Sequence, residues 1–178
     1  FFQYRPEPVR NGLRVFATYR IADLAILLAV FFAHHWTGSG SWQSLFSGTD
    51  GSGVPLSAVQ INTLAVLLVL AASGKSAQGP FAGWLPRAME GPTPSSAVFY
   101  GAISVHAGAY LLLRAYPLIA ASRVSTGFLI AIGAGTALVS TLVHRTCADA
   151  KTSLTYAAQT QLGLIFVEVA LGFKTLAL

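Results

Sequence analysis

The sequence predicts an all-α fold, a polytopic transmembrane bundle of about five helices with one broken helix near Lys75. Hydrophobic residues make up 54% of the 178 residues and charged residues only 10%, against about 25% charged residues in a typical soluble domain. A soluble domain of this size could not cover so much apolar surface, so lipid is the expected solvent. The apolar runs are continuous, which favours helices over the alternating strands of a membrane barrel.

Five apolar segments are each long enough to cross a bilayer, which takes about 20 residues. A Gly/Ser-rich loop at 37–53 separates the first two, and GKSAQGP follows the second. The Gly and Pro residues of that motif should break the helix and free backbone groups. We treat residues 1–178 as a single transmembrane domain and expect it to be a fragment of a larger subunit. The predicted spans are 13–36, 54–73, 95–116, 124–143 and 153–172.

Several segment ends carry residues typical of membrane interfaces. Trp36 closes the first segment, and His144 with Arg145 closes the fourth. Tryptophan concentrates at bilayer surfaces, and Lys and Arg concentrate in cytoplasmic loops. Asp149 and Lys151 stand near the start of the fifth segment, where Lys151 is interpreted first as an interfacial anchor. The net charge of +5 is dispersed along the chain, which does not predict nucleic-acid binding.

Lys75 is the most informative charged residue, because it directly follows Gly74 at the predicted helix break. A lysine near a break can be desolvated, which would suit a reversible proton carrier. The alternative is that the Lys75 side chain reaches to an interface and has no role in transport. Arg20 and Asp23 lie three residues apart on one helical face, a spacing that allows an ion pair. That pair could either lock helix packing or take part in conduction, where it would tune Lys75 electrostatically.

Two further titratable residues lie inside predicted spans. His106 is midway along the third, among small residues that permit close helix contact or a hydrated channel. Histidine changes charge near neutral pH and can pass protons on, although a buried histidine is more often a core residue. Glu168 lies deep in the fifth span. An unpaired carboxylate there would be costly, so we expect it to be protonated, paired or facing water.

Other chemistry is not indicated by the sequence. It contains no phosphate-binding glycine loop, no dinucleotide fingerprint and no readable nucleophile–base pair. The single Cys147 excludes an internal disulfide and a multi-Cys metal site. We therefore predict no catalytic residue, no cofactor and no metal, and expect a transporter subunit rather than an enzyme.

The stretch GKSAQGPFAGWLPRAMEGPTPSSAVFYGAISVHAGAYLLLR resembles the antiporter-like subunits of respiratory complex I and of multisubunit cation/proton antiporters. In that superfamily a similar run joins a broken helix to the next span. FATYRIADLAILLAVF resembles the preceding helix, with its Arg-x-x-Asp pair, and DAKTSLTYAAQTQLGLI resembles a later helix. These matches occur in family order and touch most of the chain.

The resemblance implies roles for individual residues. Lys75 stands at the lysine of the family's broken helix, which exchanges protons with a glutamate on an earlier helix. His106 stands where many members have Lys, as the central carrier of a lateral proton relay, and Arg20 and Asp23 fit the family pair. Lys151 is a secondary candidate for this relay, as is Tyr100, which stands where complex I members usually have His.

The run SVHAGAYLLLR, the RPEP near the start, Tyr100 and Glu168 resemble the membrane subunit of the bacterial DAB inorganic-carbon accumulation complex. This resemblance implies proton flux coupled to CO2/bicarbonate uptake in a bacterial inner membrane. The implied partner is a large soluble subunit like a zinc-dependent carbonic anhydrase, which would hold the zinc. The alternatives are a subunit of NADH:quinone oxidoreductase or a Na+/H+ antiporter, and a non-conducting membrane anchor for a soluble enzyme.

Overall fold

The computed structural model describes residues 4–39, 41–47, 53–90, 92–97, 104–173 and 175. The described residues form helices and turns, which confirms the all-α fold class. In chain order the helices are α1 (Pro6–Thr37), α2 (Trp42–Ser47), α3 (Ala58–Lys75), α4 (Trp84–Arg87), a 3₁₀ helix (Ala88–Glu90), α5 (Thr93–Ser96), α6 (His106–Arg114), α7 (Tyr116–Ala120), α8 (Arg123–His144) and α9 (Ala150–Leu171).

Four of the described helices, α1, α3, α8 and α9, are long and apolar enough to cross a membrane. They overlap four of the five predicted spans. The third predicted span, 95–116, includes residues 98–103, which lie outside the described residues, with α5 before them and α6 after them. That span stays a prediction.

Local sequence signals explain where these helices begin and end. A capping box starts α3, because the Ser57 side chain accepts from the Gln60 backbone N–H and the Gln60 side chain accepts from that of Ser57. The Asp149 carboxylate caps α9 by accepting from the Thr152 backbone N–H at 2.9 Å. Hydrogen bonds from Thr152 to the Asp149 carboxylate lower its pKa. At the other end of α9, Gly172 takes a left-handed φ of 88°, which glycine adopts without strain.

Helices α1 and α3 run antiparallel, and their contact determines where along α1 the last residues of α3 lie. Gly74 lies so close to Ala22 that a Cβ at position 74 would be 2.7 Å from the Ala22 Cβ. Towards the N-terminal end of α3, Leu64 packs in the same buried cluster as Ala29 and Ala33 of α1. The 18-residue α3 therefore starts beside the C-terminal end of the 32-residue α1 and stops near its middle.

Helices α8 and α9 form a hairpin that packs at backbone distance. Gly133 and Gly163 face each other, and a Cβ added to either would lie 2.6 Å from the other's carbonyl oxygen. Only glycine permits this approach, as in small-residue contacts between membrane helices. Phe166 and Leu129 then connect the hairpin to the core cluster around α3. The segment that follows Lys75 packs against this hairpin.

We predict that Gly133→Ala destabilises the full-length protein by about 1–3 kcal/mol, because the added methyl group overpacks the contact with α9. The measurement is thermal unfolding in detergent. Gly135→Ala is the matched control on the same helix, because a Cβ there meets no atom within 4 Å. Equal stability losses in the two variants would contradict this account of the α8–α9 contact.

Candidate functional site

The centre of the candidate site is an ion pair between α1 and the last residue of α3. The Lys75 Nζ lies 2.5 Å from the Asp23 Oδ1. The Arg20 Nη1 lies 3.5 Å from the other carboxylate oxygen, Oδ2, so one carboxylate serves two cations. The Lys75 amine also stands 4.5 Å from the centre of the Tyr19 ring, a cation–π arrangement. The sequence spacing indicated the Arg20–Asp23 pair, but not that Asp23 also binds Lys75.

The position of Asp23 along α1 places this cluster at the depth of the bilayer centre. With a rise of 1.5 Å per residue, Asp23 is about 25 Å from Pro6 and about 21 Å from Thr37. The side chains of Lys75 and Asp23 are 21% and 33% exposed on this chain. A charged group at that depth is costly unless it is paired or meets water. The ion pair therefore reduces the cost of keeping Lys75 and Asp23 charged inside the membrane.

The chain leaves the α-helix immediately after Lys75. Ala77 has a positive φ of 52°, and the Gly79–Pro80 peptide is cis. Irregular backbone at membrane depth is tolerated only where other protein groups or water satisfy it. Here the Gly79 N–H donates to Thr136 Oγ1 of α8 at 2.9 Å. The Trp84 indole N–H donates to the Gly74 carbonyl oxygen at 3.0 Å.

Gln159 of α9 satisfies two more of the backbone carbonyls that the helix break frees. Its Nε2 donates to the carbonyl oxygens of Ala82 at 2.6 Å and Ala77 at 3.2 Å. A hydrogen bond also runs in the other direction, from the Gln78 Nε2 to the Gln159 carbonyl oxygen at 3.3 Å. Both glutamines are fully buried. Sequence reasoning gave Gln159 no role, although an uncharged amide in the middle of an apolar helix was a signal that it has a buried polar partner.

His106 is the first residue of α6, immediately after the residue that contacts the break. The Ser76 hydroxyl donates to the Val105 carbonyl oxygen at 2.5 Å. The His106 side chain itself is exposed on this chain. Across the residues that the structure describes, no hydrogen bond or ion pair joins His106 to Lys75. The structure thus places His106 near the break without connecting the two side chains, and its relay role stays a prediction.

Two of the remaining predicted residues, Lys151 and Glu168, lie on α9. Glu168 is half-buried in the last turn of α9, which ends at Leu171, and its relay role stays a prediction. Lys151 is in the first turn of α9 and lines a cavity of about 360 Å³ together with Met89, Thr93, Ser96 and Ala97, among others. Tyr100 lies outside the described residues. The described residues contain no group of His, Cys, Asp and Glu side chains that could hold a metal ion.

Comparison with known proteins shows which family this chain matches. Residues 1–178 match the family described as NADH:quinone oxidoreductase/Mrp antiporter, transmembrane. A "probable inorganic carbon transporter subunit DabB1" of Halothiobacillus neapolitanus is 36% identical over 170 residues, covering 94% of this chain and 30% of that protein. The chloroplastic NAD(P)H-quinone oxidoreductase subunit 5 of Nandina domestica is 35% identical over 182 residues, covering 100% of this chain and 24% of that protein.

One solved structure shares the fold of this chain. The structure of the Mrp complex from Dietzia sp. DQ12-45-1b matches with a TM-score of 0.86 and 29% identity, covering 96% of this chain and 19% of that chain. The chain spans between 24% and 30% of the length of these two curated relatives. It therefore corresponds to one part of a larger subunit in each of them.

We predict that Gln159→Leu destabilises the full-length protein by about 2–5 kcal/mol, because two buried carbonyl groups of the break lose their donor. The measurement is again thermal unfolding in detergent. Thr160→Val is the matched control, since the Thr160 hydroxyl reaches the Tyr156 carbonyl of its own helix and the Thr141 hydroxyl, but not the break. A Gln159→Leu variant as stable as Thr160→Val would show that α9 does not hold the break in place.

Proposed function

Because the chain belongs to the NADH:quinone oxidoreductase/Mrp antiporter transmembrane family, we propose that its Lys75–Asp23 pair carries protons across a membrane. The full-length protein would couple this proton flux to inorganic carbon uptake. Its location would be a bacterial inner membrane, and its partner a large soluble subunit resembling a zinc-dependent carbonic anhydrase. The observation that carries the proposal is an ammonium and a carboxylate, paired at the end of a helix that stops at mid-membrane depth.

The shared carboxylate supplies a physical means of loading and unloading a proton. While Asp23 stays on Lys75, its carboxylate is the counter-ion of the amine. If the carboxylate moves fully to Arg20, which is already 3.5 Å away, Lys75 loses that counter-ion and would pass its proton to water at the break. Rotation of one side chain would therefore change which cation the carboxylate neutralises. Water entering at the break would deliver and remove the proton.

The onward path of the proton starts at His106. His106 begins the helix that directly follows the Ser76–Val105 contact, and an imidazole can accept and release a proton near neutral pH. We propose it as the next carrier, with Glu168 as a further member of the relay and Lys151 and Tyr100 as secondary candidates. The exposed face of His106 would then be covered by other segments of the full-length protein.

Coupling to carbon uptake is supported by the similarity to the Halothiobacillus protein and by the residues that depart from the complex I pattern. One proton moved through 100 mV yields about 2.3 kcal/mol. That energy would bias a partner reaction about 50-fold per proton. The partner, not this chain, would bind zinc and hydrate CO2.

A second candidate is proton translocation in an NADH:quinone oxidoreductase or a multisubunit Na+/H+ antiporter. It is favoured by the plant NAD(P)H-quinone oxidoreductase subunit, at 35% identity, and by the match to the Mrp complex structure. The relay would be the same and only the partner would differ. A non-conducting membrane anchor is a third candidate, and the ion pair counts against it because an anchor gains little from intramembrane charges.

We predict that the full-length gene, expressed with its soluble partner, lets a carbonic-anhydrase-deficient strain grow at ambient CO2. Lys75→Ala should abolish this growth, because the relay loses its first proton carrier. Growth rate and uptake of labelled bicarbonate are the measurements.

Arg145→Gln is the matched control, because it also removes one cation but from an exposed position that follows α8. Growth equal to wild type in the Lys75→Ala strain would refute the relay. Proton flux without rescue of growth would transfer the proposal to the antiporter or quinone-reductase alternative.

A further inference from the structure

Two grooves approach the ion pair along different elements. The first, which we call the Arg114 groove, measures about 590 Å³ and is lined by Tyr19, Ile26, Lys75, Ser104, Tyr110 and Arg114, among others. The second, the Gly12 groove, measures about 410 Å³, and its lining includes Gly12, Phe16, Tyr19, Asp23, Trp84 and Ser104. Lys75 lines the first groove and Asp23 lines the second. The two members of the ion pair are thus reached from different cavities.

The grooves lead towards opposite ends of α1. The Gly12 groove follows α1 from Asp23 back to Gly12, in its N-terminal half. The Arg114 groove follows α6, which runs back along α3, because Gly108 lies against Ala72 and Ser76. The start of α3 lies beside the C-terminal end of α1. Since α1 crosses the membrane, the two grooves lead towards opposite membrane faces.

Tyr19 and Ser104 line both grooves and form the partition between them. Their hydroxyl groups are hydrogen-bonded to each other, across 85 residues of sequence, and so join α1 to the chain just before α6. The Tyr19 ring is held on one side by the edge of Trp84, with ring centres 5.0 Å apart at 70°. On another side it contacts the Lys75 amine at 4.5 Å. The Tyr19 side chain therefore contacts both Ser104 and the Lys75 amine.

We propose that the hydrogen bond between the Tyr19 and Ser104 hydroxyls is a gate that keeps the two grooves from joining into one water-filled path. The proposal rests on the proposed function, because a gate matters only if protons pass the ion pair. With the gate closed, a proton passes between the grooves only by way of Lys75 and Asp23. With it open, water bridges the grooves and protons leak past the pair. Tyr19 is then a positioning residue and not a proton carrier.

The gate and the ion pair are coupled through the Tyr19 ring. A protonated amine is attracted to the ring face, whereas a neutral amine is not. Protonation of Lys75 therefore favours the ring position that keeps the hydroxyl on Ser104. Loss of the proton removes this attraction and frees the ring to move. The partition would be tightest while Lys75 holds its proton.

We predict that Tyr19→Phe raises passive proton leak about five-fold, the factor that corresponds to one neutral hydrogen bond. Phenylalanine keeps the ring against Lys75 and Trp84 and removes only the hydroxyl. The measurement is potential-driven proton uptake into vesicles that contain the full-length protein with its partner subunit, followed with a pH-sensitive dye. Ser104→Ala should give the same increase. The double variant should leak no more than either single one, because both remove the same bond.

Tyr110→Phe is the matched control, since Tyr110 lines the Arg114 groove, is 66% exposed and makes no hydrogen bond within the described residues. Leak equal to wild type in Tyr19→Phe would overturn the gate, and reduced proton uptake would overturn it in favour of a relaying hydroxyl. In either case, wild-type vesicles that conduct and a non-conducting Lys75→Ala variant would leave the proposed function standing. Wild-type vesicles without proton uptake would overturn both.

Discussion

The structure depends on one constraint, the need to satisfy backbone polar groups where a helix stops inside a membrane. Lipid offers no hydrogen-bond partner, so every freed group must be satisfied within the protein or by water. Here the partners come from several helices. Thr136 on α8 and Gln159 on α9 bond to the segment after Lys75, and Trp84 on α4 bonds to the Gly74 carbonyl oxygen just before it. The broken helix and its surroundings are therefore a single folding problem. The ion pair stays in place because this framework holds the C-terminal end of α3.

Close approach of helices makes that framework possible. Gly74 against Ala22 brings α3 near enough to α1 for the Lys75 amine to reach Asp23. The contact of Gly133 with Gly163 brings α8 and α9 close together, and the segment after Lys75 packs against both helices. Small residues allow this packing in a solvent where apolar burial alone gives helices little reason to associate. The polar chemistry of the site thus depends on the absence of side chains at several positions.

The sequence predicted the fold class, the break after Gly74 and the Arg20–Asp23 pair, because each follows from local composition or from helical spacing. It could not predict that Asp23 also binds Lys75, which depends on the register between two helices. The same reason hid Gln159 and the contact between Tyr19 and Ser104, whose partners are distant in sequence. For His106, the sequence indicated the residue but not its direction, and its imidazole is exposed on this chain.

The early end of α3 has an electrostatic consequence for the amine that closes it. Aligned peptide groups give a helix a negative pole of about half an elementary charge at its C-terminus. In α3 this pole lies at mid-membrane depth, where little water screens it, and Lys75 is the residue next to it. The backbone therefore acts as a fixed partial counter-ion that remains when Asp23 turns away. The amine therefore keeps a partial negative charge beside it whichever cation the Asp23 carboxylate neutralises.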